Sequence, residues 1–173
     1  MLKAMHGTYE IVDDRSALTF ERRLAHPVER VWRAVTEPAE LAHWFPSAMS
    51  GDLTSGGTLT FEFPGGEMPT MQGEVIEVDP PRCLAFTWGD DVLRIELEPD
   101  ADGCVLHFVV LFDDAQRASR DAAGWHVCLD RLEEHLGGAA AQAPSSEATA
   151  DWRGHYEEYQ RRGLPTGAPL PGD

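Results

Sequence analysis

At residue 113 the sequence changes period, and that change constrains the fold more than any other feature. Residues 57–112 read as strands. Beyond them Ala118, Ala122, Trp125, Leu129, Leu132 and Leu136 recur at alternating spacings of four and three. That spacing marks one long amphipathic helix, stopped by Gly137 and Gly138. A helix with one apolar stripe must bury it, and the concave side of a twisted sheet is the surface available. The C-terminal half of the stripe is leucine and the N-terminal half is mostly alanine, which fills little volume. The pattern predicts a helix clamped at its C-terminal end, with room left beneath its start.

The strand region supports a meander. "TLTFEF" sets Leu59, Phe61 and Phe63 on one face, "CLAFTW" sets Leu84, Phe86 and Trp88, and "VLRIELE" sets Leu93, Ile95 and Leu97. "MQGEVIEVDPP" carries Val75, Ile76 and Val78, a broken alternation that predicts a bulge. "CVLHFVVLF" is apolar on both faces, as a central or doubly covered strand would be. Short turns between these runs imply antiparallel pairing. Upstream, "GTYEIVDDRSALTFERRL" is two strand-like runs around Asp13, Asp14, Arg15 and Ser16, a hairpin pattern.

"HPVERVWRAVTEP" then predicts a helix opened by Pro27, with Val28, Val31, Trp32 and Val35 on one face. Thr36 reads as the cap of a second short helix that carries Leu41, Trp44 and Phe45 and stops at Pro46. Trp32 and Trp125 read as core. Together the elements predict an α+β helix-grip fold: a curved antiparallel β-sheet wrapped around a long C-terminal α-helix, with two short helices after the first strand. Residues 1–137 form that domain in this reading. Residues 138–150 are a small-residue linker, 151–163 a short helix with a Trp152, Tyr156 and Tyr159 stripe, and 164–173 a flexible tail.

Three stretches resemble a known family: "FERRLAHPVERVWRAVTEPAELAHWFP", "GEVIEVDPPRCLAFTW" and "GWHVCLDRLEEHL". In this order, over about residues 17–136, they are similar to the bacterial proteins related to the activator of heat-shock protein 90 ATPase, within the SRPBCC (START/birch-allergen-like) superfamily. The resemblance implies a deep cavity between sheet and long helix, used across the superfamily for lipids, hormones, polyketides and other apolar molecules. The eukaryotic activators also carry a separate N-terminal chaperone-binding domain, for which this sequence shows no counterpart.

Composition removes several function classes. Thirty acidic against fourteen basic residues give a formal charge of −16, and Lys3 is the only lysine. Such a field repels a phosphate backbone and an anionic membrane surface, so neither nucleic acid nor membrane is an expected partner. Cys83, Cys104 and Cys128 are odd in number and widely spaced, and read as buried thiols of a cytoplasmic protein. No metal site is expected. Cys104 and His107 are three apart on a strand, His126 and Cys128 two apart on a helix, and His26, His43, His135 and His155 scatter near helix ends. No phosphate loop or nucleophile triad stands out, and no cofactor is expected.

The candidate ligand site is therefore an apolar pocket lined by Trp44, Phe45, Phe61, Phe63, Met71, Trp88 and Trp125, with His107 and Asp121 as polar anchors. Asp121 precedes Trp125 by one turn, about 40° from it around the helix. Trp44 and Phe45, before the glycine-rich "SGDLTSGG", are candidates for a lid, with Met49, Met68 and Met71 at the rim. A small apolar or aromatic ligand is the expected partner. A protein-interaction module working through the Trp152, Tyr156 and Tyr159 helix, as a homodimer or on another protein, is the alternative. A cyclase/aromatase- or hydrolase-type enzyme using Asp121 and His107 is a further one. A dry void of about 300 Å³ would cost on the order of 7 kcal/mol, so a large pocket must be wet, occupied or filled by side chains.

Overall fold

The computed structural model describes residues 6–66, 68–140 and 147–172. Thr8–Val12 (β1) and Arg15–Leu24 (β2) form the opening hairpin. Asp13 and Asp14 make its two-residue turn, with φ of 49° and 65°. Two positive φ values in a row match the twist of the flanking strands.

Two short helices follow. The first is Val28–Thr36 (α1), preceded by Pro27 in extended conformation, and the second is Pro38–Leu41 (α2). Thr36 does not cap α2. Glu37 holds the capping position, and the Thr36 hydroxyl donates back to the Trp32 carbonyl at 2.7 Å. Its hydroxyl finds an acceptor one turn behind it, which removes it from capping.

Ala48–Gly51 (β3), Thr58–Glu62 (β4), Met71–Asp79 (β5), Cys83–Trp88 (β6), Asp91–Asp100 (β7) and Gly103–Phe112 (β8) complete an eight-stranded antiparallel sheet of order β1-β2-β8-β7-β6-β5-β4-β3. β3 was not expected from the sequence; its last two residues, Ser50 and Gly51, open the glycine-rich stretch. The expected bulge is present: the β5–β6 register shifts between Val75 and Glu77. β8 lies between β2 and β7, as its apolar run requires. Its outer positions Val105, Val109 and Leu111 stay half-buried rather than covered.

Ala118–Leu136 (α3) lies across the sheet, and all six residues of its stripe are buried. Ala150–Arg161 (α4) packs on the other side of α3, so Ser119, Ala123, His126 and Val127 are buried as well. Thr149 caps α4 by accepting from the Trp152 N–H. The segment after α4 is not frayed where it meets α3. The Pro165 carbonyl accepts from the Ser119 N–H at 2.9 Å, and the Leu164 carbonyl from the Ser119 hydroxyl at 3.0 Å. These bonds satisfy donors at the start of α3 that no intrahelical carbonyl can reach. Part of the segment read as a linker, residues 141–146, lies outside the described residues.

Candidate functional site

The space between α3 and strands β4 to β6 is occupied by rings. The turn that follows α2, in which the Trp44 and Phe45 N–H groups donate back to the Leu41 carbonyl, carries Trp44 and Phe45 inward, where they are 0% and 1% exposed. Trp44 is fixed by its indole N–H, which donates to the Ala34 carbonyl at 2.9 Å. Phe45 meets the rings of Trp44 (5.4 Å between centroids), Trp88 (5.0 Å), Trp125 (5.8 Å), Phe86 (6.3 Å) and Phe61 (6.5 Å). Trp125 also contacts Phe108 at 5.0 Å. These separations fall in the favourable range for edge and tilted aromatic pairs.

Two expectations are thereby corrected. Trp44 and Phe45 are core rather than lid, because one is tied to α1 and both are closed in. The space expected beneath α3 holds, beside Trp125, rings from the sheet and from the turn after α2. Trp32, read as core, is only half-buried.

The cluster opens at one side. Phe63, Met71 and Trp88 are half-buried, Met68 is exposed and Met49 is buried. Trp88 is the hub of this edge, with Phe61 at 4.8 Å, Phe45 at 5.0 Å, Phe63 at 5.6 Å and Trp125 at 6.4 Å. Seven of the nine expected residues, Trp44, Phe45, Phe61, Phe63, Met71, Trp88 and Trp125, thus fall in or beside one aromatic layer.

His107 and Asp121 do not join it. The pleat gives the inner face of β8 to Leu106 and Phe108, so His107 points outward. There it pairs across the strands with Glu21 and Glu96, and its Nε2 lies 3.7 Å from Glu98. Asp121 is held in a chain of charges at the start of α3. Arg117 reaches Asp121 at 2.7 Å and Asp91 at 2.6 Å, and Arg120 reaches Asp121 at 2.9 Å. Burial pushes the Asp91 carboxyl up, with the Arg117 guanidinium opposing it. α3 and the outward face of β8 lie on opposite sides of the sheet, so His107 and Asp121 cannot act on one substrate.

The aromatic stripe of α4 also turns inward. Trp152 and Tyr159 are buried, and Tyr156 stacks on Trp152 at 5.1 Å. Tyr156 is only half-buried, so it is the part of the stripe that a partner could meet with α4 docked. The three cysteines are buried free thiols. No described helix is long and apolar enough to cross a membrane.

A histidine cluster escaped the sequence reading. His6, His126 and His155 place a ligand atom each within 4.8 Å of one another. Their spacing of 120 and 29 residues gives no signal until α4 packs on α3. His126 is buried; burial first, then the neighbouring His155, push it down to about 3, so its ring is neutral at pH 7.

A curved antiparallel sheet gripping a long C-terminal helix over an aromatic layer defines a helix-grip protein of the START-like class. The chain belongs to the family described as "Activator of Hsp90 ATPase homolog 1-like protein", whose sequence profile matches residues 25–137. Solved structures agree. A conserved protein of unknown function from Enterococcus faecalis superposes with a TM-score of 0.74 at 22% identity, over 92% of this chain and 91% of that one. CalU16 from Micromonospora echinospora gives 0.72 at 24% identity, over 92% and 98%. A protein from Nitrosomonas europaea gives 0.62 at 26% identity, over 74% and 97%. No curated protein matches.

Proposed function

We propose that the protein binds a small apolar or aromatic ligand at the edge of the ring layer between the sheet and α3, where Phe63, Met71 and Trp88 reach solvent. The helix-grip fold is consistent with a ligand site in this position. The observation that carries the reading is Trp88: it contacts four other rings and is still half-buried. A large ring so embedded, with one side toward solvent, offers a stacking surface whose position is already fixed. Met71 beside it adapts to varied apolar shapes.

The ring layer sets the manner of binding. With Phe45 and Phe61 closed in, a ligand stacks on the Trp88 edge or displaces Phe63, which has fewer ring contacts than its neighbours. Native mass spectrometry of the freshly purified protein, with Trp88→Ala beside it, tests this. A co-purifying apolar mass that disappears in the variant supports the reading. A protein that carries no mass and shows no saturable binding across an apolar fragment set overturns it.

A further inference from the structure

On the face of α3 opposite the aromatic layer, three chain segments bring their polar side chains to one point. His6 comes from the segment before β1, His126 and Asp130 from α3, and His155 from α4. The His6, His126 and His155 ligand atoms lie within 4.8 Å of one another. The rings of His126 and His155 stack at 3.7 Å, and that of His6 meets His126 edge-on at 5.1 Å. The fourth group is the Asp130 carboxylate. Its Oδ2 lies 3.6 Å from the Nε2 of both His126 and His155, longer than an ordinary hydrogen bond.

The surrounding groups orient these four as a metal's neighbours do. The buried Arg22 guanidinium donates to Asp130 Oδ1 at 2.8 Å and leaves Oδ2 facing the imidazoles. Tyr159 binds His126 Nδ1 at 2.8 Å and also accepts from the Gly7 N–H at 2.8 Å. With Nδ1 so engaged, Nε2 is the coordinating nitrogen: its proton moves to Nδ1, which donates to the Tyr159 oxygen. Fixing a ligating imidazole through its other nitrogen is the usual outer-shell arrangement.

We propose that His6, His126, His155 and Asp130 bind one divalent transition-metal ion of the zinc class. Three imidazoles and a carboxylate are a donor set that zinc accepts, and imidazole-rich sites also suit cobalt and nickel. Zinc–nitrogen bonds of about 2.0–2.1 Å put tetrahedral ligand atoms about 3.4 Å apart, so the widest separation closes by about 1.4 Å on binding. His6 and His155 are partly exposed and can supply that movement, while His126 is fixed. Arg22 and Arg162 add positive charge nearby, and Glu133 and Glu158 offset it. Because the ligands come from the leading segment, α3 and α4, the ion staples α4 and the segment before β1 to the helix-grip body.

The test uses the tag-free full-length chain after treatment with a chelator. Zinc is titrated in competition with a chromophoric chelator, and cobalt is followed by its visible absorption. The expected result is one equivalent bound, a four-coordinate cobalt spectrum, and a zinc-dependent rise in melting temperature. His6→Ala and His155→Ala should each weaken binding tenfold or more, while His107→Ala leaves it unchanged. Ring-nitrogen NMR of the parent protein needs no variant, and zinc should shift His6, His126 and His155 together. No stoichiometric binding, or one equivalent that persists in the His6→Ala/His155→Ala double variant, overturns the proposal.

Discussion

Phe45→Ala tests whether the space under α3 is packed or open. Phe45 is 1% exposed and touches five other rings. Truncating a buried phenylalanine costs about 3–5 kcal/mol, the sum of lost transfer energy and the cavity left behind. The five ring contacts place this site in the upper half of that range, about 4–5 kcal/mol, because the neighbours hold one another and cannot collapse inward. A domain with about 5–15 kcal/mol of total stability survives the change but sits near its threshold. The assay is urea unfolding followed by tryptophan fluorescence and far-UV circular dichroism, with the slope unchanged from the parent. Because the new cavity is apolar, benzene or indole should enter it. At ten times its dissociation constant either ligand restores about 1.4 kcal/mol. A loss below about 1.5 kcal/mol, with no rescue, would mean that Phe45 borders a solvent-filled pocket and the packed-layer description is wrong.

Three further outcomes follow from the structure. Asp13→Asn with Asp14→Gly should stabilise the protein by about 0.5–1 kcal/mol in urea unfolding, since both positions hold positive φ; a loss of stability would show a different turn. Tyr159→Phe leaves the Gly7 N–H without its acceptor and takes the partner from His126, and should cost about 1–3 kcal/mol; an unchanged unfolding midpoint would show that these bonds do not form. Glu40 pairs with His135 and, at 3.3 Å, with Arg30. Burial works against its ionised form, but the hydrogen bond from His135 and the Arg30 charge outweigh burial and hold it below the ordinary carboxylate value. Its stabilisation is therefore present above about pH 4.3 and lost as pH falls through the folded value. Glu40→Gln should flatten that acid limb in unfolding experiments at pH 5 and pH 3, and an unchanged limb would contradict the pairing.

Much of the fold was legible because it rests on periodicity. The alternation of Leu93, Ile95 and Leu97 and the stripe from Ala118 to Leu136 each report a face, and the structure buries those faces. The bulge near Val75 was legible for the same reason. Side-chain direction on β8 was misjudged although the pattern contained it: Leu106 and Phe108 fill the inner face, so His107 between them must point out. Thr36 was misplaced because a hydroxyl near a helix end has two acceptors within reach and sequence does not rank them. β3 was hidden because it is four residues long and three of them, Ala48, Ser50 and Gly51, are small, so its pairing with β4 comes from a neighbour rather than from propensity. The room under α3 was inferred from the volume of alanine alone, and sequence does not show that rings from the turn after α2 and from the sheet gather beside Trp125. The histidine cluster depends on how α4 crosses α3, which no local pattern encodes.

The most direct test of the ligand-binding account is a two-dimensional NMR titration of the five indole N–H signals with an aromatic probe such as a naphthalene sulfonate. The account predicts saturable shifts at Trp88 and Trp125 and a still signal from Trp152 behind α3. Saturable shifts confined to Trp152, or none at any indole up to the solubility limit of the probe, would contradict it.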